Sequence, residues 1–282
     1  MDLAIVIFLL GGLFLGWSLG SNDAANVFGT AVGTRMVRFK TAAIVCSLFI
    51  ILGAVISGSG TTETLGKLGA INALPGAFAA CVAAGLSVYI MTKFGLPVST
   101  TQAIVGAIVG WNLYTGSSTN IKVLLTILST WILCPIIAAL IAMLFFILTK
   151  KLLKNTTWHI LRLDAYTRTA LLIAGAFGAY SLGANNIANV MGVFVPIAPF
   201  ADIQLGSFLT FSSKEQLFLL GGVAIAVGVF TYSKKVMFTV GTDLLKLSPV
   251  AAFIVVIAHS IVLFLFASQG ISYFLNSIHL PA

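Results

Sequence analysis

Two short segments carry most of the polar chemistry of this chain. Ser18-Leu-Gly-Ser-Asn-Asp-Ala-Ala-Asn-Val-Phe-Gly29 and Ser181-Leu-Gly-Ala-Asn-Asn-Ile-Ala-Asn-Val-Met-Gly192 agree at eight of twelve positions, at a constant offset of 163. The first offers one carboxylate and two amides, from Asp23, Asn22 and Asn26. The second offers three amides, from Asn185, Asn186 and Asn189. Both follow directly on apolar runs, where such groups are costly unless they line a cavity or bind something. Asn22 and Asn26 are four apart, so a helix would put them on one face. Gly20 beside them is read as a point where the helix opens and frees backbone carbonyls, which lipid cannot satisfy. Carbonyl, amide and carboxylate oxygens together suit a hard cation such as sodium. The competing role is interhelical glue, which duplication of the whole segment disfavours.

A third segment, Gly95-Leu-Pro-Val-Ser-Thr-Thr-Gln102, offers the complementary chemistry. Pro97 interrupts a helix and disfavours helical geometry at Leu96. Ser99, Thr100 and Thr101 can then cap a helix beginning near Gln102. A helix N-terminus with free N–H groups and hydroxyls is an anion site that needs no Lys or Arg. A plain N-cap after a turn is the simpler alternative, and the neighbouring Asn segments tip the balance toward binding. A multivalent anion entering lipid carries a large desolvation cost, which cations at the Asn segments would offset.

Both segments must be positioned by elements that live in lipid. Apolar residues make up 59% of the 282 and charged residues only 8%, against roughly a quarter charged in a soluble domain. Eight apolar stretches occur, at 3–19, 41–57, 73–91, 102–113, 123–148, 169–182, 217–232 and 249–267. The stretch at 102–113 is too short to cross fully and reads equally as one arm of a re-entrant hairpin. No run has the form of a cleavable signal peptide. With the N-terminus outside, twelve of the 15 Lys and Arg residues fall on the cytoplasmic side, including Arg35, Arg38, Lys93, Lys234, Lys235 and Lys246. Only Lys67, Lys122 and Lys214 fall outside. The net charge of +8 is therefore an orientation signal and not a nucleic-acid surface. The basic run Thr149–Arg168 is expected as a cytoplasmic linker lying on anionic lipid. It divides a first repeat, 1–148, from a second, 169–282.

The small residues Gly12, Gly16 and Gly20 align with Gly175, Ala179 and Gly183, so the repeat includes the helix before each motif. Five crossings separate the copies, and an odd number inverts one against the other. The expected fold is all-α: a polytopic membrane protein with two inverted-topology repeats, broken helices and re-entrant hairpin segments.

The two Gly-(Ser/Ala)-Asn-(Asp/Asn)-x-Ala-Asn motifs at 20–26 and 183–189, with Gly-Leu-Pro-Val-Ser-Thr-Thr at 95–101, resemble the inorganic phosphate transporter (PiT) family. The resemblance covers nearly the whole chain. It implies import of inorganic phosphate coupled to sodium or protons by alternating access, in the plasma (inner) membrane. It implies a phosphate site at Ser99, Thr100, Thr101, Gln102, Asn22 and Asn185, and a sodium site at Asp23, Asn26, Asn186 and Asn189. Sodium is the coupling ion expected, with protons the alternative; no organic cofactor is implied, and the expected partners are phosphate and membrane lipid, with a homo-oligomer allowed and nucleic acid excluded. Three departures stand out. Asn186 occupies a position where many members have Asp, and Gln102 one where many have His, which removes an obvious proton carrier and favours sodium. His279-Leu-Pro-Ala282 resembles Gly95-Leu-Pro-Val98, so the chain is expected to be part of a longer whole.

Other oxyanions such as sulfate fit hydroxyls and N–H groups nearly as well. A channel or a non-transporting phosphate sensor fits the same residues without coupled flux. An enzyme does not, because Asp23 has no acid or base partner at a useful spacing. His259 is assigned a structural or interfacial role, Asp243 and Glu63 loop positions, and the Phe-rich runs a lipid-facing one. Cys46, Cys81 and Cys134 sit singly in apolar runs and are taken as small core residues.

Overall fold

A computed structural model describes residues 3–59, 74–154, 159–198, 200–205, 209–244 and 247–267. Glu63, Lys67, Lys246 and the segment His279–Ala282 lie outside the described residues. The elements are α1 (Leu3–Gly33), α2 (Phe39–Ser57), α3 (Leu74–Phe94), α4 (Thr100–Thr115), α5 (Ile121–Lys154) and α6 (Ile160–Met191). A 3₁₀ turn (Gly192–Ile197) follows, then strands β1 (Ile203–Leu205) and β2 (Leu209–Phe211). The chain continues through α7 (Ser213–Tyr232), α8 (Lys234–Phe238), a π-helical turn (Thr239–Leu244) and α9 (Pro249–Ala267). The strands form one antiparallel pair, Ile203 opposite Phe211, the exception in a helical architecture.

All of these except α4, α8 and the short turns are long and apolar enough to cross a membrane, seven helices among the described residues. The chain is a multi-pass integral membrane protein. Helices are the form in which each span satisfies its own backbone within lipid. The 16 residues of α4 rise about 24 Å, short of a hydrocarbon core of about 30 Å. The helix starts on Ser99, whose side chain accepts from the Gln102 N–H, and ends on Gly116 in the left-handed region at φ 69°.

Among its described residues the basic stretch Thr149–Arg168 comprises the end of α5, to Lys154, and the start of α6, from Ile160; Leu, Lys and Ala continue a helix readily. One expectation is corrected: neither Asn segment is a helix break. Both α1 and α6 pass through their motifs unbroken, so no carbonyls are freed at Gly20.

The glycines serve close packing instead. A Cβ on Gly20 would strike the Ile225 carbonyl of α7, and one on Gly183 would strike the Ile50 carbonyl of α2. Gly53 of α2 lies likewise against the Tyr180 carbonyl of α6, and Gly228 of α7 against that of Trp17 in α1. The contacts are reciprocal: each motif helix is held by the second helix of the other repeat. Hydrogen bonds repeat the exchange, with Trp17 Nε1 donating to Thr231 Oγ1 at 2.9 Å and the Tyr180 hydroxyl pairing with Ser57 Oγ at 2.6 Å. The motif helices themselves run antiparallel. Gly12 lies against Val190 and Phe194, Gly16 against Val190, Gly178 against Val27 and Gly175 against Phe28, so positions advance along α1 as they retreat along α6.

Candidate functional site

Where α1, α6, α9 and the start of α4 converge there is a cavity of about 360 Å³. Asp23 and Asn26 of α1 line it, three residues apart, together with Asn185 and Asn186 of α6. Ser99, Thr100 and Thr101 reach it from the turn that Pro97 makes between α3 and α4. These seven were expected from the sequence, and they come together from both repeats.

Asp23 is 5% exposed, and its Oδ1 accepts from Thr100 Oγ1 at 3.2 Å. Among the described residues it is the one carboxylate on the cavity wall, and neither Lys nor Arg is there. The helix start beside it offers donors. The N–H groups of Thr100 and Thr101 have no acceptor among the described residues, whereas those of Gln102 and Ala103 are taken by Ser99. Free N–H groups at a helix N-terminus favour an anion. The carboxylate and the amide oxygens favour a hard cation. The cavity therefore has the parts to hold opposite charges side by side.

Three expected residues fall elsewhere. Asn22 does not line the cavity. Its Nδ2 donates to Thr92 Oγ1 at 2.8 Å and to the Leu96 carbonyl at 3.0 Å, and its Oδ1 accepts the Val98 N–H at 2.9 Å. Each of its polar atoms is thus spent on the Pro97 turn, and Asn22 braces the cradle instead of touching its content. α1 is unbroken here, so Asn22 and Asn26 do lie on neighbouring positions of one side, but only Asn26, with Asp23, lines the cavity. Gln102 is exposed and off the wall, because two residues into α4 the side chain has turned away from the helix mouth. Asn189, 3% exposed, lies just behind it. Its Nδ2 donates to Thr101 Oγ1 at 2.8 Å and to Asn186 Oδ1 at 2.9 Å, tying the second motif to the first repeat's hydroxyls.

One polar lining residue is not among the expected site residues. His259 of α9, with Leu263 one turn on, faces the cavity. An ionisable residue inside an apolar stretch is a functional candidate by default, and that signal was present in the sequence.

A model of the phosphate transporter family matches residues 19–164 and 160–273 of this chain. The protein named "Putative phosphate permease" in Thermococcus kodakarensis is 27% identical over an alignment covering 90% of this chain and 80% of its own length. The sulfate permease CysP of Bacillus subtilis is 29% identical, covering 88% of this chain and 66% of its own. A solved structure of a sodium-dependent phosphate transporter superposes with a TM-score of 0.79 at 25% identity, over 94% of this chain and 85% of that one.

Proposed function

Because the chain belongs to the phosphate transporter family, we propose that it imports inorganic phosphate, driven by a sodium gradient, by alternating access at this cavity. One observation carries the reading: among the described residues a lone carboxylate, Asp23, shares the cavity with a helix N-terminus suited to an anion, with no Lys or Arg on the wall. A phosphate anion there is repelled by Asp23 in a medium of low dielectric constant. Sodium held by Asp23, Asn26 and Asn186 removes the repulsion and turns it into attraction. Anion and cation then bind well only together, which is the physical content of coupling. Ser99, Thr100, Thr101 and Asn185 hold the phosphate oxygens, while Asn22 and Asn189 fix the geometry of that set.

The antiparallel motif helices and their reciprocal contacts support alternating access, because a site between oppositely oriented repeats has two equivalent ways to open. Purified protein in liposomes is expected to take up radiolabelled phosphate when sodium is higher outside, and to stop when the gradient is removed. Uptake that ignores sodium, or no uptake at all, sinks the reading. The similarity to a sulfate permease supports a second reading, with sulfate as the transported anion, and competition between the two anions decides between them.

A further inference from the structure

We infer that His259 is the residue that selects phosphate over sulfate, by accepting a hydrogen bond from a P–OH group; this rests on the transport reading above. The two anions have similar size and tetrahedral shape. At neutral pH phosphate keeps at least one O–H, whereas sulfate only accepts hydrogen bonds. Hydroxyls and N–H groups donate to both alike. Discrimination therefore needs an acceptor that is free inside the site, where a mismatched partner is left unpaired and costly.

Several acceptors on the cavity wall are already engaged, and Asn185 is assigned to the phosphate oxygens as a donor. Ser99 Oγ accepts from the Gln102 N–H, and Thr101 Oγ1 and Asn186 Oδ1 both accept from Asn189. Asp23 Oδ1 accepts from Thr100, and the carboxylate belongs to the cation. Asn26 is assigned to the cation as well. His259 hydrogen-bonds to none of the described residues and faces the cavity from α9, half-buried. A neutral imidazole carries one N–H donor and one lone pair. The donor serves any oxyanion, and the lone pair serves only one that has a proton to give. Packing of α9 on α6 and α1 sets the ring beside both motif helices. The rotation of α9 is also fixed: the neighbouring Ser260 is buried against α6, where a Cβ on Gly178 would strike its Oγ.

The test measures uptake of radiolabelled phosphate and its inhibition by sulfate in liposomes, for wild type, His259→Phe and His259→Gln. His259→Phe keeps a ring of similar volume and loses both nitrogens. It is expected to raise the phosphate KM by about 10- to 100-fold, the worth of one lost hydrogen bond in a buried site. The inhibition constant for sulfate is expected to move far less, and the sodium dependence not at all. His259→Gln, which keeps a donor and an acceptor, is expected to recover most of the selectivity. Melting temperatures in detergent check that each variant folds, and His259→Leu serves if the Phe variant does not. An unchanged phosphate-to-sulfate ratio with intact wild-type uptake overturns the role of His259 and leaves the transport reading standing. Wild-type protein that moves no phosphate overturns both.

Discussion

The two Asn motifs share eight of twelve residues and yet do different work. In the first, Asn22 is consumed by the Pro97 turn and Asp23 faces the cavity with a hydroxyl donor from Thr100. In the second, Asn185 stands on the cavity wall at the position equivalent to Asn22, and Asn186 is held within its own helix by Asn189. One copy braces the Pro97 turn and supplies charge; the other holds Thr101 through Asn189 and supplies neutral wall. Sequence identity within a repeat thus fixes the side chains available, while neighbouring elements decide which of them bind and which brace. A charge placed on only one side also gives the cavity a polarity that the symmetric backbone lacks.

The sharpest way to break this comparison is to remove its one asymmetry in charge. Asp23→Asn keeps the shape and the acceptor for Thr100 but loses the carboxylate. Sodium-driven phosphate uptake is expected to fall by at least about 100-fold, or roughly 2.7 kcal/mol, with the sodium activation curve flattened. Lys122→Gln, at the exposed start of α5, is expected to leave uptake within about twofold. Equal losses from the two variants would remove Asp23 from the coupling site.

A smaller effect separates brace from wall. Asn22→Leu leaves the Leu96 carbonyl and the Val98 N–H without their side-chain partner, at about 1–3 kcal/mol for each buried group. Both melting temperature and phosphate affinity are expected to drop. Asn185→Leu, at the equivalent position, is expected to lower phosphate affinity by removing a wall residue. If it leaves phosphate affinity unchanged, its place on the wall carries no binding.

The reciprocal packing predicts matched and more modest losses. Gly20→Ala and Gly183→Ala each push a Cβ into a backbone carbonyl that has no room to yield. Overpacking of this kind costs about 1–3 kcal/mol, and the two variants are expected to melt within a few degrees of each other in detergent. Gly106→Ala, with open space around the added atom, is expected to melt as wild type does. A large difference between Gly20→Ala and Gly183→Ala would show that the two halves are not held alike.

Much of this architecture was legible in the residues, for a physical reason. Each of the eight apolar stretches coincides with a helix, since lipid allows a span little else. Helix ends were less legible. A search for apolar runs stops at the first polar side chain, so α1 was expected to end at Leu19, yet it continues to Gly33. The amides past Leu19 do not end the helix because they point at a turn or a cavity, not at lipid. The freedom of Gly20 is visible in sequence and reads as a hinge, whereas the Ile225 carbonyl that requires its small size is not visible there. Asp23, Thr100 and Asn186 were identifiable from residue type. The rotation of α1 that turns Asn22 away, and the placing of α9 that brings His259 in, are set by contacts between distant segments. No local pattern encodes those.

The smallest predicted effect is also the most discriminating about coupling. Asn186→Asp restores charge symmetry by giving the second motif its own carboxylate. Two carboxylates on one cavity wall repel each other and the anion, so phosphate binding at low sodium is expected to weaken by about tenfold, or about 1.4 kcal/mol. A cation bound beside the new charge would cancel that loss. Raising sodium is therefore expected to recover phosphate affinity, along a steeper curve than that of the wild type. Recovery with the wild-type slope would mean that one cation serves both motifs, and that Asn186 contributes shape without helping to set the number of ions. No recovery at any sodium concentration would mean that the second motif has no room for a cation, and that Asp23 with Asn26 forms the whole of the coupling site.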